Sequence, residues 1–483
     1  MLWLLANACS PTEPPALEVR VRRGAIRASG SGRALPDGRV LTEDAGTGPT
    51  ECVPLFSVEL PAWGDLVALG GASPDTALAF SPDGERLLVG ATGGTLMSID
   101  AWSGRVVARH ALAETAVRSV AWSGDGRIAW AAEQSPDASV LALDPDDLRV
   151  LATYRLAADV ETAAPAPDDL YGLYQLPSVA GLHPLADGTV LALGTHGWDT
   201  PDGRRNASRV VRLRLEGDRL AVVGAWPAEG AADVVLGASD LRGDRLAMAL
   251  RRSASGAPPA DLPIDGVLEL GLPDLRVVGA TRFASLPGFD HVFVWDALAL
   301  VRDGLVAGTG DGRVIARVAG SETVTELGTP RDPALPIAAS VGFLRAVGPD
   351  VWAVTSRSWA PGSTDPETRP GRLHPNERVV GRWTREGATL TERSVYRSPY
   401  DVGGIAVSEA EVAVGAGPRQ DGRTDLFGAL VFDAEGGDPV VCATEGPAYH
   451  ALALAPDGRV AVAEVPWLDG GAVRGTYRIT VLR

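Results

Sequence analysis

The stretch AFSPDGERLLVGA, Ala79 to Ala91, decides the fold. An apolar alternation runs into Ser-Pro-Asp-Gly and resumes as a second apolar run. Pro82 presets φ at the first central position of a turn, Asp83 tolerates the second, and Gly84 accepts a left-handed backbone. The flanking runs are thereby forced into an antiparallel hairpin. One hairpin would say little, but this one returns. It recurs as VAWSGDGRIAWAA (Val120 to Ala132), LHPLADGTVLALG (Leu182 to Gly194) and LALAPDGRVAVAE (Leu452 to Glu464). Degraded forms are LGASDLRGDRLAMAL (Leu236 to Leu250), LALVRDGLVAGTG (Leu298 to Gly310), FLRAVGPDVWAVT (Phe343 to Thr355) and IAVSEAEVAVGAG (Ile405 to Gly417). Seven steps separate Asp83 from Asp457, so the eight hairpins recur about every 53 residues.

Two further short apolar runs follow the hairpins. After the first come TLMSIDAW (Thr95 to Trp102) and RVVARHAL (Arg105 to Leu112); after the second, SVLALD (Ser139 to Asp144) and LRVLATYRL (Leu148 to Leu156). After the third come SRVVRLRL (Ser208 to Leu215) and DRLAVVGAW (Asp218 to Trp226). Four short antiparallel strands, repeated eight times, predict an all-β chain folded as a β-propeller of four-stranded blades. So apolar a sheet cannot bury both faces alone and must stack on a neighbour at each side, which closes a ring. Composition agrees: 57 Gly and 36 Pro are spread between short apolar runs, and no long window carries a 3.6-residue period. RALPDGRVLTE (Arg33 to Glu43) imitates the hairpin, so seven blades plus a separate N-terminal hairpin is the alternative count.

The units resemble WD40-like and YVTN-type propeller repeats. The resemblance is carried by FSPDG (Phe80 to Gly84), APDG (Ala455 to Gly458) and the Asp-x-x-x-Gly from Asp100 to Gly104, and it covers most of residues 51–483. The usual Trp-Asp pair is missing. The resemblance speaks to architecture and hardly to activity.

The eighth unit ends at TYRITVLR, Thr476 to Arg483, one strand short. An open apolar edge invites aggregation. ECVPLFSVEL, Glu51 to Leu60, is the segment placed to fill it, so an N-terminal strand is expected to complete the last blade. Cys52 then falls on that outer strand, and Cys442 on the outer strand of the seventh blade. A disulfide between them would staple the seam; two reduced buried cysteines are the other reading.

The N-terminus differs from the rest. MLWLLANAC resembles the end of a bacterial lipoprotein signal, with residues 1–8 as the signal segment and Cys9 as the lipidated residue. Residues 9–50 read as a tether and extension, beginning with Ser10-Pro11-Thr12-Glu13-Pro14-Pro15, and residues 51–483 as the propeller. The resemblance implies an exported chain, lipid-anchored in the cell envelope and facing the periplasm or the cell surface, with the anchor as its only contact with the membrane. The formal charge of −17, with arginine as the only basic side chain besides histidine, disfavours nucleic acid and anionic lipid as partners. A monomer is expected.

Link lengths separate the two faces of the ring. Links between strands one and two, and three and four, are short. Links between strands two and three, and from blade to blade, are repeatedly long: residues 157–178, 196–207, 251–264, 284–293, 357–377 and 418–426. Long links gathered on one side of a rigid scaffold mark a binding face. That face gathers Tyr171, Tyr174, His196, Trp198, Asp199, Phe289, Asp290, His291, Trp359, Asp365, His374 and Trp467. Aromatic side chains mixed with Asp and Arg suit recognition of a protein, peptide or glycan; the blander reading is that the loops pack on one another. His196, His291 and His374 lack ligand spacing, so no metal is expected, and the histidines are taken to be solvent-exposed. No GxSxG, CxxCH or paired-carboxylate motif occurs, so neither catalytic residues nor a cofactor is assigned. LMSIDAWSGRVVA, Leu96 to Ala108, resembles the blade motif of quinoprotein dehydrogenases. A propeller enzyme of that kind, or of the lactonase kind, is therefore the alternative to a binding scaffold.

Overall fold

The computed structural model describes residues 31–34, 40–43, 52–60, 76–91, 94–112, 116–160, 176–201, 203–251, 262–283, 296–318, 324–328, 338–359, 374, 376–417, 427–469 and 472–483. The chain is an eight-bladed β-propeller. Blade 1 is Thr76–Phe80, Arg86–Ala91, Thr95–Asp100 and Val106–Ala111, paired antiparallel in that order. Blades 2 to 7 repeat the meander over residues 116–155, 178–226, 235–282, 296–328, 338–397 and 401–444. Blade 8 takes Ala448–Leu454, Val460–Glu464 and Arg478–Leu482 from the C-terminus and Pro54–Glu59 from the N-terminus. First strands of successive blades pack on one another around the ring, blade 8 against blade 1 included, except between blades 3 and 4, where the first strand of blade 4 packs mainly on the second and third strands of blade 3.

The blade turn works as its sequence implies. Gly84 has φ +74° and its N–H donates to Ser81 O (2.8 Å). Asp83 Oδ1 accepts from Ser81 Oγ (2.6 Å) and from the Glu85 N–H (3.0 Å). Burial pushes the Asp83 carboxyl up, but these hydrogen bonds outweigh it and hold it below the ordinary carboxylate range. The middle strands are sandwiched between neighbouring blades, so RLLVGA and TLMSID are buried almost throughout instead of alternating. The outer strand VVARHA alternates and faces solvent. Close stacking explains Gly90: a Cβ there would lie 2.3 Å from Val117 Cγ1 of the next blade.

The seam is held as expected. Pro54–Glu59 pairs antiparallel with Arg478–Leu482, and the Val53 N–H donates to Arg483 O (2.8 Å). Cys52 and Cys442 form a disulfide 390 residues apart in sequence. Cys442 lies on the outer strand of blade 7, whereas Cys52 precedes its strand by two residues, a small correction to its expected place within it. The hairpin imitation near the N-terminus is real, with Ser31–Ala34 pairing Val40–Glu43, but it stands outside all eight blades. It therefore adds to the eight-bladed ring and does not lower the blade count. No helix among the described residues is long and apolar enough to cross a membrane.

Candidate functional site

Each second strand runs toward the long-link face and each first strand starts from it. Residues at the ends of second strands and the starts of first strands therefore converge at the mouth of the axial channel. Between blades 2 and 5 they enclose a cavity of about 570 Å³. Blade 2 contributes Arg118 and Gln134, blade 3 Ser178 and the run Thr195 to Gly197, blade 4 Val235 to Ser239 and Arg251, and blade 5 Asp296.

A repeated irregularity shapes this wall. The first strands of blades 2, 3, 4, 6, 7 and 8 each carry a β-bulge against the second strand. Its recurrence makes the bulge a property of the inner strand, not of one site. What the bulge presents differs by blade: the skipped residue is Arg118 in blade 2, Ala180 in blade 3, and Gly237 and Ala238 in blade 4, all in the cavity wall. A bulge re-aims a side chain, and in blade 2 it re-aims a guanidinium.

Below the mouth, inner strands are tied across blades. His183 Nε2 and Ser239 Oγ are 2.8 Å apart. The Leu300 N–H donates to Asp240 Oδ2 (2.6 Å), and Arg345 Nη2 donates to Asp296 Oδ2 (2.6 Å). Burial, with a further push from Arg345, lowers the His183 imidazole to about 4. Burial raises the Asp240 carboxyl. A histidine so poor as a base draws little proton density from Ser239, so the pair reads as an inter-blade tie, not an activated nucleophile.

The residues proposed from sequence are placed unevenly. His196 and Trp198 stack at 4.9 Å with planes 18° apart. Residues 196–207 are not a free loop: the strands Val190–Thr200 and Gly203–Glu216 continue through them as a projecting hairpin, pairing Trp198 with Arg205. His196 is 3% exposed and His374 4%, which corrects the expectation of solvent-exposed histidines. His196 lines the cavity. His374 turns inward: its Nδ1 accepts from the Asn376 N–H (3.0 Å), and Thr355 Oγ1 donates to Asn376 O (2.5 Å), pinning the returning link to blade 6. Trp467 sits on a small hairpin, Trp467–Asp469 with Ala472–Arg474, inserted between the second and third strands of blade 8. It packs 4.8 Å from Phe427 of blade 7. Asp199 and Trp359 lie near strand ends on the same face. Tyr171, Tyr174, Phe289, Asp290, His291, Asp365 and Cys9 lie outside the described residues. Among the described residues no group of three His, Cys, Asp or Glu could hold a metal ion.

Sequence reading passed over Arg118, Ser178, Asn206, Arg251 and Asp296. A signal was present. Apolar second strands end on a polar residue at the mouth, as in AWAAEQ, LALGTH and LAMALR, giving Gln134, His196 and Arg251.

No protein-family model matches the chain, and comparison with curated proteins finds no match. Solved structures do match in fold. BamB from Moraxella catarrhalis is similar at 13% identity and TM-score 0.51, covering 90% of this chain and 98% of that one. A Dos1 propeller is similar at 11% identity and TM-score 0.51, covering 86% and 93%. The computationally designed protein Ika8 is similar at 15% identity and TM-score 0.51, covering 85% and 97%. At these identities the likeness establishes the propeller fold and nothing finer.

Proposed function

We propose that the protein is an envelope-anchored scaffolding propeller that recognises a protein, peptide or glycan partner through its long-link face. The supporting observation is the asymmetry of that face. The projecting hairpin of blade 3, the inserted hairpin of blade 8 and the mouth of a polar cavity all belong to it, while the opposite face carries tight turns. Lipidation of Cys9 would tether the disc through residues 9–50, which lead into the outer strand of blade 8. The chain then meets the membrane only through that anchor.

The test is affinity capture from envelope extract. Wild type is compared with a variant whose residues 361–371 are replaced by a Gly-Ser linker and with Trp198→Ala. Loss of the same captured species from both variants supports the reading; identical captures from all three proteins remove this face from consideration. Metabolic labelling with palmitate, compared between wild type and Cys9→Ser, tests the anchor separately.

A further inference from the structure

We propose that the Cys52–Cys442 disulfide is a strain relief for the anchor: it passes a pull on the N-terminal tether into blade 7 and shields the strand that closes the ring. The source of the pull rests on the anchored reading above. The force path follows from where the bond sits and stands without that reading.

Order along the chain sets that path. Cys52 lies on the tether side of the closing strand Pro54–Glu59, so a pull from residues 9–50 meets the bond before it meets the strand. Without the bond the pull would enter at Val53. There the Val53 N–H donates to Arg483 O (2.8 Å) and the Arg483 N–H to Val53 O (3.1 Å). Pro54 comes next, opposite Leu482, and then a bulge that skips Leu55 before Phe56 meets Val481. A terminal strand pulled at one end gives way one pair at a time, at about 0.5–1.5 kcal/mol for each hydrogen bond. Proline donates no backbone hydrogen bond and the bulge interrupts the ladder, so peeling is easiest where the pull would enter.

Blade 7 takes load differently. Cys442 sits opposite Ala429 at the centre of an unbroken ladder of five pairs, from Phe427–Thr444 to Val431–Val440. The outer strands of blades 1, 2, 3, 4 and 6 each carry a bulge; this one has none. The Cys442 side chain is buried in one apolar cluster with Ala413 and Ala429 of blade 7 and Val462 of blade 8. Its strand continues into the ring at both ends, so peeling has no free end to start from. A pull at the middle loads the whole ladder at once. Loss of the closing strand would uncover Phe56 and Val58, both fully buried, and leave Arg478–Leu482 as an open edge.

The test is single-molecule pulling of the full chain between a handle at its N-terminus and a second at Asp218, an exposed residue of blade 3. The N-terminal handle acts whatever anchors the chain in the cell, so this result and the palmitate result fail separately. Cys442→Ser should show an early step that lengthens the molecule by up to about 80 Å, the contour from Cys52 to Asp75. Its force should lie at least about twofold below that of ring unfolding. Wild type with the bond intact should show no such step. Should Cys442→Ser not fold, Cys52→Ser and wild type reduced with dithiothreitol after mounting carry the same expectation. An early step in the oxidised protein, or its absence from every folded form lacking the bond, overturns the proposal.

Discussion

Arg459 of the last blade lays its guanidinium 3.6 Å from the ring centroid of Trp102 in the first. The side chain is fully buried. Its Nη1 donates to Ala101 O (2.7 Å) and its Nη2 to Gly84 O (2.6 Å), while Nε pairs with Asp457. One side chain thus ties the turn of blade 8 to two links of blade 1. Arg459→Ala leaves two carbonyls and a carboxylate short of a donor, so unfolding should be easier by about 3–5 kcal/mol. A lower urea midpoint at constant denaturant slope checks this. Lysine should restore only part of the loss, because it lacks the fork and the flat stacking face.

The Cys52–Cys442 bond closes a 390-residue separation. Constraint of so long a loop in the unfolded chain should contribute near the upper end of the typical range of roughly 2–4 kcal/mol. Cys52→Ser, Cys442→Ser and the double variant should each lower the midpoint by the same amount, since each removes one bond. Additive losses in the double variant would contradict a shared bond.

His183 gives the stability a sign in pH. Its folded pKa of about 4 lies below the ordinary 6.5, so the unfolded chain takes up this proton first as pH falls. Stability from this group is complete above about pH 6.5, declines toward pH 4, and is lost by up to about 3 kcal/mol below that. His183→Gln keeps a partner for Ser239 and should flatten the slope between pH 6.5 and 4 in denaturant titrations. An unchanged slope would show that other groups set it.

Gly90 tests the inter-blade stacking. A Cβ there meets Val117 Cγ1 at 2.3 Å, so Gly90→Ala should cost about 1–3 kcal/mol by overpacking. Val117→Ala opens the opposing space. The double variant should therefore be more stable than the two separate losses predict, a coupling that thermal melts of the four proteins measure.

The repeat was legible because its cause is local. Ser81 to Gly84 makes its own turn whatever surrounds it, and so do Ser123 to Gly126 and Ala455 to Gly458. The seam followed by elimination, from Thr476–Arg483 lacking an outer strand. Turn chemistry also misled. Asp199 to Arg204 carries Thr-Pro-Asp-Gly, which reads as the middle of a long loop, yet cross-strand pairing from His196 to Ala207 carries the ladder through it. The cavity was out of reach for another reason. Arg118, Arg251 and Asp296 are separated by more than a hundred residues at the extremes, and only the curvature of the ring decides that they share one wall. His374 read as a recognition residue because position within a long link is visible and inward rotation is not.

The pairing of Ser57 with Thr480, 423 residues apart, also imposes a timetable on biosynthesis. At translation rates of about 5–20 residues per second, the opening strand emerges on the order of 20–80 seconds before its partner exists. Through that interval Leu55, Phe56 and Val58 remain sticky and unclaimed. Blades 1 to 7 are built from consecutive strands, but the last blade closes only after Arg478–Leu482 is made, so holdase occupancy of the opening segment, followed over time after initiation, is a direct readout of how the nascent polypeptide shelters it.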